Sequence, residues 1–140
     1  MATQETNYRE WVINSFLVGS GKLIEKGNPV FTREGTGYLF QPKSGDAAAT
    51  GDKFVGIAVE TIDNTSGADG AQSVRVYGLG VHQLPNTASL TQASVGDPIK
   101  VGATGAIAAG TDAYNIGICV GVSASLVDIR IDGAVGLAYA

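Results

Sequence analysis

Along most of this chain apolar residues recur at every second position, in short runs separated by Gly, Asn, Asp, Ser and Thr. That period sends alternate side chains to opposite faces of a strand. The clearest run is Leu126 to Asp132. Val127, Ile129 and Ile131 alternate there with Asp128, Arg130 and Asp132, which predicts a strand half buried and half in water. Ser73 to Leu79 puts Val74 and Val76 inward and Arg75 and Tyr77 outward. Phe54 to Thr61 puts Val55, Ile57 and Val59 on one face, and Gly56 and Ala58 on the other. Small residues there predict close approach of a neighbouring strand. Gly27-Asn28-Pro29, Gly35-Thr36-Gly37 and Gly96-Asp97-Pro98 are turn signals. Pro42 to Asp52 reads as an exposed loop, and Asp63 to Gln72 as a long hairpin loop. Val81 to Ser94 reads as a bridge in which Leu84-Pro85-Asn86 ends any strand.

The pattern occurs twice. Gly27-Asn28-Pro29-Val30 returns as Gly96-Asp97-Pro98-Ile99. Val55-Gly56-Ile57-Ala58-Val59 returns as Ile116-Gly117-Ile118-Cys119-Val120, and Val74-Arg75-Val76-Tyr77-Gly78 as Ile129-Arg130-Ile131-Asp132-Gly133. The separations fall from 69 to 61 to 55 residues, so the second copy is the more compact. Three matched blocks in one order predict an internal duplication, with repeats at about 22–80 and 95–133. Short strands with turn signals between them predict an all-β fold, a small β-barrel or sandwich. Two similar halves predict pseudo-twofold symmetry, and barrel closure would remove the exposed strand edges. Residues 1–20 stand outside the duplication as an N-terminal arm, leaving 21–140 as a single β-barrel domain. Within the arm, Tyr8, Trp11 and Phe16 are the candidate partner-binding residues, since aromatic anchors dominate contact energies. The competing reading has Trp11 and Phe16 closing one end of the core. The apolar tail, Ala134 to Ala140, is a candidate edge strand or subunit contact.

Composition narrows the function classes. With 140 residues the chain has room for one domain with a real core. Its net charge of −4 and its scattered Lys and Arg argue against nucleic acid, whose binding rests on clustered basic residues. The start of the chain lacks the basic and apolar runs of a signal peptide. No apolar stretch is long enough to span a bilayer. The expectation is a soluble protein made inside the cell, with no membrane partner. A single cysteine, Cys119, excludes an intramolecular disulfide and reads as a buried, inert thiol.

Candidate chemistry is sparse. His82, the one histidine, has no acidic residue beside it to orient it as a base, and a solvated or capping role is the plain reading. One His and one Cys in strand contexts do not make a zinc site. Asp63 and Asp69 flank a Gly-rich loop without the spacing of a calcium-binding loop. Gly19-Ser20-Gly21-Lys22 lacks both the earlier glycine and the following Ser or Thr of a phosphate loop. No catalytic, cofactor or metal site is expected, and the chain is not expected to be an enzyme.

The duplicated blocks, with Val81-His82-Gln83-Leu84-Pro85 after the first, resemble the small head-decoration, or capsid cement, proteins of tailed bacteriophages. The similarity runs over roughly residues 22 to 133. It implies a non-enzymatic β-barrel that binds the outer surface of an assembled capsid through the major capsid protein, as a homotrimer. It also implies a protein made in the host cytoplasm and carried on the virion. An alternative is a glycan- or small-ligand-binding β-barrel, such as an accessory head fibre or adhesin, with Tyr38, Tyr77 and Tyr114 as a stacking platform.

Overall fold

A computed structural model of the chain describes residues 13–110 and 115–131. Twelve short strands fill them: β1 Ile13–Leu17, β2 Lys22–Ile24, β3 Pro29–Thr32, β4 Leu39–Phe40, β5 Lys53–Ala58, β6 Ile62–Asn64, β7 Ser73–Tyr77, β8 Gly80–Pro85, β9 Pro98–Val101, β10 Ile107–Ala109, β11 Asn115–Val122 and β12 Leu126–Ile131. They form two five-stranded sheets and one two-stranded sheet, β2-β6. The pairings within the sheets are antiparallel. The fold is all-β and sandwich-like rather than a closed barrel. Among the described residues a single parallel bridge, Val18 to Leu39, links the end of β1 to β4 across the first sheet.

The duplication is visible strand by strand. The first sheet reads β4-β3-β5-β7-β1 and the second β10-β9-β11-β12-β8, the same order of equivalent strands. Even the irregularities repeat. Val30 lies opposite Gly56 and Phe31 opposite Phe54, so Val55 is the extra residue of a bulge. Ile99 lies opposite Gly117 and Lys100 opposite Asn115, which makes Ile116 the extra residue. The turns before β3 and β9 are fastened alike. Gly27 N–H donates to Ala58 O at 2.9 Å and Ala58 N–H to Asn28 O at 3.0 Å. Gly96 N–H donates to Cys119 O at 2.8 Å and Cys119 N–H to Asp97 O at 2.9 Å.

Pairing shifts one equivalence that the sequence suggested. Ala58 pairs with Val76 and Cys119 with Ile129, so Val76 answers Ile129 and not Ile131. The slip is two residues, which leaves every side chain on its own face. The repeat also reaches further than 22–80 and 95–133. β1 flanks β7 as β8 flanks β12, with Phe16 opposite Val74 and Leu84 opposite Val127. The second half of the arm is therefore an edge strand of the first sheet. The bridge after Gly80 is its counterpart.

Two cores separate the layers. Phe31, Phe40, Phe54 and Ile57 of the first sheet meet Leu84, Ile99, Val101, Ile107, Ile116, Cys119, Val127, Ile129 and Ile131 of the second. The three phenylalanines interlock, Phe31 lying 5.6 Å from Phe54 and 6.2 Å from Phe40. Each buried ring is worth roughly 1.5–3 kcal/mol over exposure. On the other side of the first sheet, Val18, Val30, Leu39, Val55, Ala58, Val74 and Val76 form a second core with Ile24. β2 and β6 roof it.

These assignments replace the expected pseudo-twofold. Val30, Leu39, Val55, Ala58 and Val76 are the equivalents of Ile99, Ile107, Ile116, Cys119 and Ile129. The second set faces the intersheet core, and the first faces away from it. Twofold-related sheets would turn equivalent faces toward each other. Here they are stacked front to back. On the opposite face, Phe31, Phe40 and Phe54 are answered by Lys100, Ala108 and Asn115, because in the second copy that face has no layer over it among the described residues.

Candidate functional site

Of the three candidate anchors, Tyr8 and Trp11 lie outside the described residues, as do Tyr114 and the tail. Phe16 is described, and it packs half-buried against the second core. Its equivalent, Leu84, is a core residue only 2% exposed. Phe16 thus packs onto the margin of a core. The side chains that β1 turns outward are Ile13 and Leu17, which are 43% and 52% exposed. Among the described residues, β1 is an edge strand without a charge or a proline, the usual guards of such an edge. Strand parity, and not aromatic size, is what singles out this exposed pair.

A second apolar surface lies on the outer face of the second sheet, where Ile118, Arg130 and Val81 are neighbours in register. Ile118 is 38% and Val81 56% exposed.

The Pro42–Asp52 segment is not a simple exposed loop. Asp52 is 1% exposed, and its carboxylate accepts from Arg33 Nη1 at 2.8 Å, Glu34 N–H at 2.9 Å and Ala49 N–H at 2.8 Å. Arg33 also donates to Asp46 at 2.7 Å and to Ala47 O at 3.1 Å, with its guanidinium 3.7 Å from the centre of the Phe40 ring. Lys22 of the roof reaches Asp46 at 2.8 Å. One chain of charges therefore ties loop, sheet and roof together. Asn64 adds a neutral tie, its amide donating to Val18 O, Gly19 O and Ala68 O at 3.3, 2.9 and 3.1 Å.

The one histidine has structural partners. His82 Nε2 sits 2.9 Å from Leu79 O, and its ring lies against Tyr77. Tyr38 and Tyr77 do not form a common platform. Tyr38 lies beside Gly70 with Leu17, at one end of β1, whereas Tyr77 is opposite Ile13, at the other. Cys119 is buried. Among the described residues no three His, Cys, Asp or Glu side chains are grouped to hold a metal ion, and no helix is long and apolar enough to cross a membrane.

Two exposed carboxylates are held below their ordinary values. Arg75 does so for Glu60, through its side chain and its backbone N–H. The Thr65 hydroxyl and N–H do so for Asp63. A lowered carboxylate favours the fold above its unfolded pKa, and that contribution is lost as pH falls through the folded value. Carboxyl NMR titration is expected to place both midpoints below the ordinary Glu and Asp values. Arg75→Met should return Glu60 toward normal and Thr65→Val should do so for Asp63. Midpoints that ignore these substitutions would contradict the assignment.

No protein-family model and no curated protein matches the chain. Among solved structures it is similar to the base of the bacteriophage phi29 head fiber gp8.5, N-terminal part, with a TM-score of 0.55 and 20% identity. The match covers 89% of this chain and 98% of that one. The fold is similar to that of this head-fibre base. At this identity the likeness speaks for architecture. It spans nearly the whole of that fibre base.

Proposed function

We propose that this chain is a non-enzymatic structural protein of a phage head. In this reading it binds the major capsid protein on the outer surface of an assembled capsid and stabilises the shell as a homotrimer. The observation that carries the reading is the fold likeness across nearly the whole head-fibre base, joined to the resemblance of the repeated blocks to cement proteins. The charge distribution fits an outer position away from packaged nucleic acid. Identical subunits around a threefold axis meet through heterologous contacts, which need unlike patches on each subunit. β1 with Ile13 and Leu17, continuous in sequence with Tyr8 and Trp11, supplies one such patch. The outer face of the second sheet supplies another.

The test is to mix the purified protein with matching mature shells and follow co-sedimentation and shell melting. A partner that binds only the assembled shell stabilises it by mass action, about 2.7 kcal/mol per site at a hundredfold excess over Kd. Shells that neither bind the protein nor melt later would end the proposal, and sedimentation of the free protein as a monomer would remove the trimer. Leu17→Asp is expected to weaken association and leave the unfolding midpoint nearly unchanged. Phe16→Ala should do the reverse, losing about 2 kcal/mol of stability from a half-buried core position.

A further inference from the structure

We propose that the groove beside Tyr38 is a binding site for a neutral pyranose. The groove holds a volume of about 190 Å³ and is lined by Ser20, Lys22, Arg33, Thr36, Tyr38 and Asp69. That is room for a single sugar ring. A saccharide site needs an aromatic face for the C–H side of the ring and convergent donors and acceptors for its hydroxyls. The half-buried Tyr38 supplies the aromatic surface. It is held beside Gly70, where a Cβ would stand 3.5 Å from its ring.

The polar rim has hydrogen-bonding capacity to spare. Of the five N–H groups of Arg33, three bonds go to Ala47 O, Asp52 and Asp46, which leaves two without a partner among the described residues. Lys22 makes one bond, to Asp46, and keeps two donors. Asp69 accepts from Ser20 N–H at 2.7 Å through Oδ1 alone, so Oδ2 remains as an acceptor. The Ser20 hydroxyl donates to Gly67 O at 2.9 Å and can still accept. The donors do not swing freely. Phe40 and two carboxylates fix the guanidinium, and Asp46 holds the ammonium. Such preorganisation lowers the cost of binding.

Charge decides the class of sugar. Asp46 and Asp52 already neutralise the two cations, and Asp69 adds a negative charge at the rim. An acidic sugar or a phosphate would meet that carboxylate without a free cation to offset it. The site is independent of a place on a capsid, and it remains whether or not the chain binds one.

The test is an amide-resolved NMR titration of the whole chain with methyl β-glucopyranoside, methyl β-galactopyranoside and methyl N-acetyl-β-glucosaminide, and with glucuronate as the acidic comparison. At least one neutral glycoside is expected to shift the amides of Ser20, Lys22, Thr36, Tyr38 and Asp69 with millimolar affinity. Tyr38→Ala should weaken it roughly tenfold, a loss on the scale of one aromatic contact. Asp69→Asn removes the charge and turns the free carboxylate oxygen into an N–H donor; because a sugar hydroxyl can donate or accept, it should keep neutral binding while letting glucuronate approach. Three outcomes overturn the proposal: no shifts with any neutral glycoside, shifts that survive Tyr38→Ala in a folded variant, or binding of glucuronate alone to the native protein.

Discussion

Gly56→Ala is expected to cost about 4 kcal/mol, among the largest losses a single methyl group can cause. Two penalties meet at this residue. Its φ of +142° lies where residues with a side chain rarely go, which is worth roughly 1–3 kcal/mol. A Cβ there would also run into Tyr77 O and the Val76 side chain. A backbone carbonyl in a paired strand cannot step aside, so overpacking adds roughly 1–3 kcal/mol. Gly117→Ala separates the two terms. Its Cβ would strike Arg130 O in the same way, but no left-handed φ is imposed, so about 2 kcal/mol is expected. Gly121→Ala meets only the end of the Asp128 side chain and should cost under about 1 kcal/mol. Urea unfolding of the three variants measures the series. A Gly56→Ala midpoint close to that of the native protein would refute the close approach of β5 and β7.

The second large loss is expected at Asp52. Asp52→Ala removes the acceptor of one guanidinium bond and two backbone N–H groups, all inside a carboxylate site that is 1% exposed. Breaking a buried pair from one side costs roughly 3–5 kcal/mol, most of it from the groups left behind. Arg33 keeps Asp46, and its side chain is 32% exposed, which argues for the lower end of that range. Because the partners form one network, Arg33→Met combined with Asp52→Ala should cost less than the sum of the single losses. Additive losses in that double-mutant cycle would mean that the carboxylate holds the loop through Glu34 and Ala49 alone.

The strands most open to sequence reading were those with one wet face. β12 alternates in sequence as it does in burial, and β7 likewise. The repeated Gly after a β-branched residue marked a real element, the shared bulge at Val55 and Ile116. β1 and β8 were missed because Ile13-Asn14-Ser15-Phe16 and Val81-His82-Gln83-Leu84 share only the order apolar, polar, polar, apolar. No identity draws the eye to them. The front-to-back stacking left a trace that a pseudo-twofold reading passes over. Val30-Phe31, Leu39-Phe40 and Phe54 to Ala58 are apolar on successive positions, the mark of strands buried on both faces. Their counterparts, such as Ile99-Lys100-Val101, alternate. The middle layer was therefore written in the first copy.

The candidate site was less legible. Tyr38, Lys22, Arg33 and Asp69 converge from separate turns and strands, and no spacing announces that. Parity along β1 would have separated Phe16 from Leu17. It needed the strand to be recognised first.

Front-to-back stacking also gives the molecule a direction. A pair built that way has no matching ends: one finishes in the β2-β6 roof, the other in a sheet bearing Lys100, Asn115 and Arg130. Repetition of the same contact would go on adding copies indefinitely. Among the described residues, the roof ends the series on one side and the loss of the three phenylalanines on the other. A chain with such a polarity, anchored to any surface by one end, would always show the same opposite end to its surroundings.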